Sequence, residues 1–217
     1  AMTLLVETLD GDDNVTVGGG DIVGGGFTTS STSIIGGGNA NDTIHIDDHL
    51  STFGRLYTFN NFTLSSDTGG LTYSGFATQT LDTANALASR FTPTNNLNIN
   101  AISGQISSTT INGGANRVTL VNVATGNLVN ISPLLTLNLG KPTLDRLTIN
   151  DQSGTSNDNY TFLAGQFVKK NNNNSSTLST INFTPLAAIT LNANQGSNTI
   201  RIPATPAGTT TTINDAG

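Results

Sequence analysis

The sequence predicts an all-β fold, specifically a right-handed parallel β-helix, with a β-sandwich or jelly roll as the alternative. Apolar and polar residues alternate over many short segments, as at Ile44 and Ile46 or at Leu135 and Leu137, and this period of two is typical of β-strands. Gly, Asn and Thr, which form helices poorly, are abundant and separate these segments. Short motifs also recur along the chain, which is typical of repeat folds.

A three-residue unit of Thr, an apolar residue and Asn or Asp recurs at the ends of the predicted strands. Asn tolerates left-handed backbone conformations, and it therefore suits the corners between strands. If the coils stack on one another, each Asn amide can also hydrogen-bond to the equivalent residue above and below it. The seven copies begin at Thr8, Thr80, Thr110, Thr136, Thr148, Thr190 and Thr212.

A second unit consists of a strand, a corner rich in Gly and Asn, and another strand. It occurs in residues 9–17, 34–46, 111–121 and 191–202. Strands that return at intervals of roughly 20–30 residues fit a solenoid in which each coil stacks on the previous one. The lack of Trp and the aromatic content of 6% argue against a β-sandwich, whose core usually contains more aromatic residues.

A longer repeat overlies these units. The segment LYTFNNFTL (56–64) resembles NYTFLAGQF (159–167), and Phe59 and Phe162 lie 103 residues apart. Ile111 and Ile213 lie 102 residues apart, so the register nearly holds over half of the chain. We therefore divide one continuous solenoid into three parts. These are Gly- and Asp-rich first coils (1–50), a first repeat unit (51–145) and a second, truncated unit (146–217).

The composition argues against several functions. The net charge is -6 and only eight Lys and Arg residues are scattered over 217 positions, so we expect no nucleic-acid partner. The lack of Cys removes disulfides, thiolate metal sites and Cys nucleophiles. No apolar run reaches the ~18 residues of a membrane-spanning helix. We interpret the chain as a segment of a longer protein with a neutral, hydrogen-bonding surface.

The chain resembles a known class of protein in three features. These are the Thr-apolar-Asn/Asp strand ends, the Gly-Asn-Asp-Thr corners and the degenerate long repeat. The chain resembles very long bacterial cell-surface β-strand-repeat proteins of the planctomycete and cyanobacterial type, and adhesins of the filamentous-haemagglutinin type. The resemblance implies a secreted or cell-surface β-solenoid with a non-catalytic structural or adhesive role and with neighbouring repeats as partners. The alternatives are a calcium-stabilised module that binds polysaccharide or a host surface, and a β-helical polysaccharide lyase or hydrolase.

Residues 37–45 match part of the calcium-binding nonapeptide of haemolysin-type repeats. Gly37 and Gly38 occupy the first two positions, Asp42 the aspartate position and Ile44 the apolar position, whereas Ala40 replaces an expected glycine. The family needs tandem copies, because each ion lies between successive turns, and no such copy adjoins this segment. The motif alone therefore predicts a corner and a strand.

The acidic segment DGDDN (10–14) presents oxygen-bearing side chains at the alternate spacing of calcium loops, although it lacks the glycine and the flanking helices of an EF-hand. Val15 and Ile44 lie 29 residues apart, about one coil, so stacking would bring this segment next to residues 41–42. The joint corner is our candidate calcium site. Its residues are Asp10, Asp12, Asp13, Asn14, Asn41 and Asp42.

His45 and His49 bracket two aspartates in HIDDH (45–49). In one strand they would share a face, and this spacing permits a zinc site. The chain has no third His and no Cys, so surface polar residues at a strand end are the favoured interpretation. The sequence shows no Ser/His/Asp constellation, phosphate loop or dinucleotide fingerprint, and its cationic residues are dispersed. We therefore expect no enzymatic activity.

Overall fold

The structure is a computed structural model that describes residues 4–22, 31–67, 69–86, 94–131 and 134–215. These residues form short strands joined by turns, and the predicted all-β class is confirmed. The first ten strands are β1 (Leu4–Glu7), β2 (Asn14–Val17), β3 (Ser31–Ile35), β4 (Thr43–Asp47), β5 (Leu56–Asn61), β6 (Thr63–Ser66), β7 (Gly69–Ser74), β8 (Thr78–Asp82), β9 (Thr94–Ile102) and β10 (Ser108–Asn112). The others are β11 (Val118–Val123), β12 (Leu134–Asn138), β13 (Arg146–Asn150), β14 (Asp158–Leu163), β15 (Gln166–Asn171), β16 (Thr177–Phe183), β17 (Ala188–Asn192), β18 (Thr199–Arg201) and β19 (Thr210–Asn214). A 3-10 helix, η1 (Leu128–Asn130), lies between β11 and β12, and no helix in the described ranges is long and apolar enough to cross a membrane.

The strands form two mixed sheets. The ten-stranded sheet has the order β1-β3-β7-β6-β5-β9-β11-β13-β17-β19, and the nine-stranded sheet has the order β18-β14-β15-β16-β12-β10-β8-β4-β2. Outside two three-stranded groups, the chain changes sheet after every strand. Neighbouring strands are parallel except within those groups, β5-β6-β7 and β14-β15-β16, which are antiparallel.

The core forms because each strand alternates inward apolar and outward polar side chains. In β4, Ile44 and Ile46 are buried, whereas Thr43, His45 and Asp47 stay partly exposed. The inward residues of both sheets belong to one hydrophobic cluster. The alternation that the sequence shows is therefore the alternation of the core.

The Thr-apolar-Asn/Asp units stack on one another in register. Their last residues form two rows on adjacent strands, Asp82–Asn112–Asn138 in the nine-stranded sheet and Asn150–Asn192–Asn214 in the ten-stranded sheet. The second and third members of each row donate through Nδ2 to the side-chain oxygen of the preceding member over 2.6 to 2.9 Å. The predicted amide ladder is confirmed for these six units, whereas the unit at Thr8 follows the end of β1 and joins neither row.

The strand pairing of the first half recurs nine strands later. β1 pairs with β3 as β10 pairs with β12, β2 with β4 as β11 with β13, and β5 with β9 as β14 with β18. The antiparallel groups recur in the same way. Tyr57 and Phe59 of β5 therefore correspond to Tyr160 and Phe162 of β14, in agreement with the offset of 103 residues. We call β1–β9 the first copy and β10–β18 the second copy.

The two copies occupy the sheets in the opposite sense. The group β5-β6-β7 lies in the ten-stranded sheet, and its counterpart β14-β15-β16 lies in the nine-stranded sheet. Each group adds two strands to one sheet only. One such group by itself would make its sheet two strands longer than the other sheet. Because the second group lies in the other sheet, the additions balance.

The predicted division of the chain at 50/51 and 145/146 stays a prediction. β4 pairs with β8 across the first boundary, and β11 pairs with β13 across the second, so strand pairing continues through both. Residues 1–3 and 23–30 of the predicted first coils lie outside the described residues.

Candidate functional site

The two acidic segments that the sequence nominates for calcium lie side by side at one corner. β2 and β4 are parallel neighbours, and this pairing places residues 12–14 next to residues 41–43, as predicted. Asn41 Nδ2 donates to Asp12 Oδ2 over 3.0 Å, and Thr43 Oγ1 donates to Asn14 Oδ1 over 2.7 Å. Both contacts span 29 residues, so the predicted offset of 29 residues is confirmed.

Asp42 holds this corner together with both of its carboxylate oxygens. The side chain is fully buried, Oδ1 accepts the backbone N–H of Asp13 over 2.9 Å, and Oδ2 accepts that of Asn39 over 2.7 Å. The bond from Asn39 closes the turn in front of β4, and the bond from Asp13 joins that turn to the segment in front of β2. Asp42 therefore has a structural role in the stack.

The glycines of the haemolysin-like motif serve the backbone. A Cβ atom at Gly37 would lie 2.1 Å from the carbonyl oxygen of Leu9, so only glycine allows these two segments to approach this closely. Gly38 has a φ of 82°, a left-handed conformation that glycine adopts without strain. The spacing of the motif is thus explained by the corner itself.

The six candidate calcium residues form a corner in which several oxygens already have protein partners. Asp10, Asp12 and Asn14 are exposed, and Asp42 uses both oxygens within the chain. Asp13 differs, because its Oδ2 is buried and has no hydrogen-bond partner in the described part of the chain. Calcium takes about six to eight oxygen ligands, and the site stays a prediction.

A second group of ligating side chains lies on the outer face of the nine-stranded sheet. His45 and Asp47 belong to β4, and Asp82 of β8 is the register partner of Asp47. His45 Nε2 and Asp82 Oδ2 share a hydrogen bond of 2.7 Å, and His49 Nδ1 lies 2.5 Å from Asp47 Oδ1. Among the described residues, His45, Asp47 and Asp82 are the one group of three His, Cys, Asp or Glu whose ligand atoms all lie within 4.8 Å of one another. We call these three residues, together with His49, the His/Asp cluster.

The two His residues do not share one strand, so the condition under which they would lie on one face is not met. β4 ends at Asp47, so His49 lies in the following turn, where its ring and its backbone N–H both reach back to Asp47. Sequence reasoning also missed Asp82, which lies 37 residues from His45. The available signal was the Thr-Leu-Asp unit at 80–82, because stacking in register places that unit beside residues 45–47.

One carboxyl group of the cluster, that of Asp47, has a lowered pKa, and the cluster is open to solvent. Burial by itself raises the pKa of Asp47, but the side-chain and backbone N–H groups of His49 and the charges of both His residues hold that pKa below its ordinary value of 3.8. Asp82 accepts a further hydrogen bond of 2.6 Å from Asn112 Nδ2. The side chains of His45 and Asp82 are 35% and 25% exposed, so solutes can reach both.

Two buried Asp–Tyr pairs, absent from the sequence predictions, occupy equivalent places in the two copies. Tyr57 Oη donates to Asp48 Oδ2 over 2.5 Å, and Tyr160 Oη donates to Asp151 Oδ2 over 2.7 Å. Burial raises the pKa of both tyrosines and of Asp48 above their ordinary values. The pairs lie in the core, where they connect a turn to the first strand of each antiparallel group.

Each buried Asp–Tyr pair has a cation beside it. Lys169 Nζ lies 2.6 Å from Asp151 Oδ2 and 3.0 Å from Asp158 Oδ2. In the first copy, Arg55 Nε lies 3.7 Å from Asp48 Oδ2. Both cations are buried, so these contacts neutralise charge inside the fold.

The two cations come from different positions of the repeat. Lys169 is opposite Tyr160 in β15, where the first copy has Ser66 opposite Tyr57. Arg55 instead directly precedes β5. Each copy thus places a cation beside its buried carboxylate, although the two cations come from different positions of the repeat. This difference indicates that the ion pair has a structural role.

No protein-family model, curated protein or solved structure matches the chain. The resemblance to bacterial surface repeat proteins therefore stays a prediction. The functional argument depends on the geometry of the chain.

Proposed function

We propose that the chain is a segment of a right-handed parallel β-helix with a non-catalytic structural or adhesive role in a secreted or cell-surface repeat protein. The observation that carries the proposal is the recurrence of one pairing pattern nine strands later, with the sheets exchanged. A unit that repeats its pairing and stacks on its predecessor builds length by addition. Length is the property that a stalk, spacer or matrix element needs.

The strand pairing favours a β-helix over a β-sandwich. In the nine-stranded sheet β8, β10 and β12 are parallel neighbours that follow at about one coil, 30 residues from Asp82 to Asn112 and 26 from Asn112 to Asn138. Sandwiches and jelly rolls are built from antiparallel strands. The right-handed sense follows the strong general preference of crossover connections between parallel strands.

The open sheet edges support neighbouring repeats as the partners. β1 and β2 lie at one end of the two sheets, and β19 and β18 lie at the other. β19 follows the second copy in the way that β10 follows the first. β10 pairs with β12, and among the described strands β19 leaves the corresponding side open. A further copy can therefore continue the same pairing, and a repeat that covers these edges also protects them from non-specific association.

The outer surface supports the adhesive form of this role. Only 10% of the residues are charged, and the amide ladders run along both sheets. Rows of amides and hydroxyls offer hydrogen bonds to the hydroxyl groups of a polysaccharide without requiring charge on either side. A glycan array that detects binding would assign adhesion, and an array without binding would assign a spacer.

The calcium-stabilised binding module is favoured by one observation, the buried and unpartnered Asp13 Oδ2. An ion that binds only the folded chain must raise the melting temperature. A melting temperature that calcium raises and a chelator lowers would support this alternative. An unchanged melting temperature would remove it.

Location at the cell surface is tested with antibodies against the chain, applied to intact and to permeabilised cells of the source organism. The proposal expects equal labelling of both, because the epitopes are outside the cell. Labelling that requires permeabilisation would contradict it.

A further inference from the structure

The His/Asp cluster interrupts the amide ladder of the nine-stranded sheet. In β8, β10 and β12 the stacked unit is Thr, an apolar residue, and Asp or Asn. The unit that stacks on β8 from β4 is His45-Ile46-Asp47. Both His residues of the 217-residue chain lie in this cluster.

The pair of register partners Asp47 and Asp82 differs in charge from the neighbouring pairs in the two amide ladders. These two carboxylates are direct register partners, whereas every pair within the two amide ladders includes at least one Asn. Like charges directly opposite each other on adjacent strands destabilise a sheet. A cation bound between the two carboxylates would remove this repulsion.

The second copy provides an internal comparison. The positions that correspond to His45, Asp47, His49 and Asp82 hold Thr148, Asn150, Gln152 and Asn192. Every ligating side chain of the cluster is thus a neutral, weakly ligating residue in the other copy, on the same backbone pairing. The fold itself does not require the His/Asp set.

We propose that His45 Nε2, Asp47 and Asp82 bind a zinc-type divalent ion on the outer face of the first copy, with a solvent molecule in the fourth position. Imidazole nitrogen and carboxylate oxygen are ordinary zinc ligands, at about 2.0–2.2 Å from the ion. Ligand atoms around one tetrahedral ion are then about 3.3 Å apart. The 2.7 Å contact between His45 and Asp82 needs only a small side-chain rotation to reach that separation.

Two neighbouring side chains orient the ligands. His49 donates to Asp47 Oδ1 through its backbone N–H at 3.2 Å and lies against the same oxygen with its ring. Asn112 Nδ2 donates to Asp82 Oδ1 and leaves Asp82 Oδ2 toward His45. Such outer partners fix the orientation of metal ligands, and their loss typically weakens metal binding about 10–100-fold.

The test is isothermal titration of the chain with zinc chloride, together with the visible absorption of cobalt(II) as a substitute ion. The proposal expects one ion per chain, a tetrahedral cobalt spectrum and a melting temperature that rises with zinc. Calcium in excess should not displace zinc, because a site with imidazole selects transition metals. Absence of zinc binding, or displacement of zinc by calcium, would overturn the proposal.

Matched variants carry the residues of the second copy. His45→Thr/Asp47→Asn/Asp82→Asn should abolish binding, and His49→Gln should weaken it about tenfold or more. Asp12→Asn, at the other acidic corner, should bind zinc as the wild type does. A triple variant that folds and still binds zinc with wild-type affinity would contradict the assignment.

The converse variant keeps the test informative if the triple variant fails to fold. Thr148→His/Asn150→Asp/Asn192→Asp installs the ligand set in the second copy and should raise the stoichiometry to two ions per chain. A stoichiometry that stays at one would contradict the proposed geometry. Neither result bears on the cell-surface role, which has its own test.

Discussion

Replacing Lys169 with Met should lower the free energy of unfolding by about 3–5 kcal/mol, the usual cost of removing one partner from a buried ion pair. Lys169 is 4% exposed, and Asp151 and Asp158 are 0% and 3% exposed. Met fills much of the volume of the Lys stem, so the change removes charge more than packing. It leaves two buried carboxylates beside each other, without the cation that lies within 3.0 Å of both.

The structure also limits the size of this loss. Asp151 keeps the hydrogen bonds from Tyr160 and from the backbone N–H of Leu128, and Asp158 keeps the bond from Asn194. We therefore expect a loss within the stated range and not above it.

The assay is urea unfolding followed by circular dichroism, with the slope of the transition compared between variants. Lys170→Met, one residue along β15 and less buried, is the matched control and should change stability by less than about 1 kcal/mol. The double variant Asp158→Arg/Lys169→Ser places the cation where the first copy has Arg55, and it should be more stable than Lys169→Ser alone by about 0.5–3 kcal/mol. A Lys169→Met variant that loses less than about 1 kcal/mol at pH 7 would refute the assignment of this lysine as the balancing charge.

Two further predictions concern the corners. Gly37→Ala should lower the free energy of unfolding by about 1–3 kcal/mol, because the new Cβ would lie 2.1 Å from the Leu9 carbonyl oxygen. Gly104→Ala is the control and should leave stability almost unchanged, since nothing lies within 4 Å of the added Cβ. Equal melting temperatures for the two variants would contradict this prediction. Burial raises the pKa of Asp145 above its ordinary value of 3.8, despite the N–H groups of Thr119 and Lys141 and the charge of Lys141. The folded state therefore holds the Asp145 proton more tightly than the unfolded state does. The stabilisation that comes from this proton is complete below pH 3.8 and is lost as the pH rises through the pKa of the folded state. Asp145→Asn should remove this part of the pH dependence between pH 3 and 7, and identical pH profiles for both proteins would be the contrary result.

The period-two alternation and the 103-residue offset could be predicted because both depend on local sequence. Each strand needs its own apolar face, as at Ile44 and Ile46, and Phe59 and Phe162 lie in similar surroundings in both copies. The placement of residues 12–14 next to 41–42 follows from the same argument, since the 29-residue offset from Val15 to Ile44 is the register of the β2-β4 pair.

The assignment of strands to sheets could not be predicted from spacing. The units at Thr136 and Thr148 are 12 residues apart, yet they belong to different sheets, because the chain changes sheet after each strand. The same alternation brings Asp82 beside His45 across 37 residues of sequence. The segments between strands vary in length, so equal sequence intervals do not mark neighbouring strands.

The buried charges were invisible for a different reason. Lys169 and Arg55 have no local signal that distinguishes them from surface residues, and charged residues are usually exposed. Their burial depends on carboxylates that lie elsewhere in the sequence, at Asp151 and Asp48. Only a comparison of the two copies in three dimensions shows that a cation lies beside each buried Asp–Tyr pair.

The most direct test of the central claim is the length of a tandem fusion. A second segment of residues 8–214 is joined directly after Asn214, so that β19 takes the place of β1. The added segment contributes nine strands to each sheet, and at about 4.8 Å per strand the particle should lengthen by about 43 Å with an unchanged cross-section. Electron microscopy that shows a single rod lengthened by this amount would support the account. Two separate particles on a flexible connection, or a thicker particle of the original length, would contradict it.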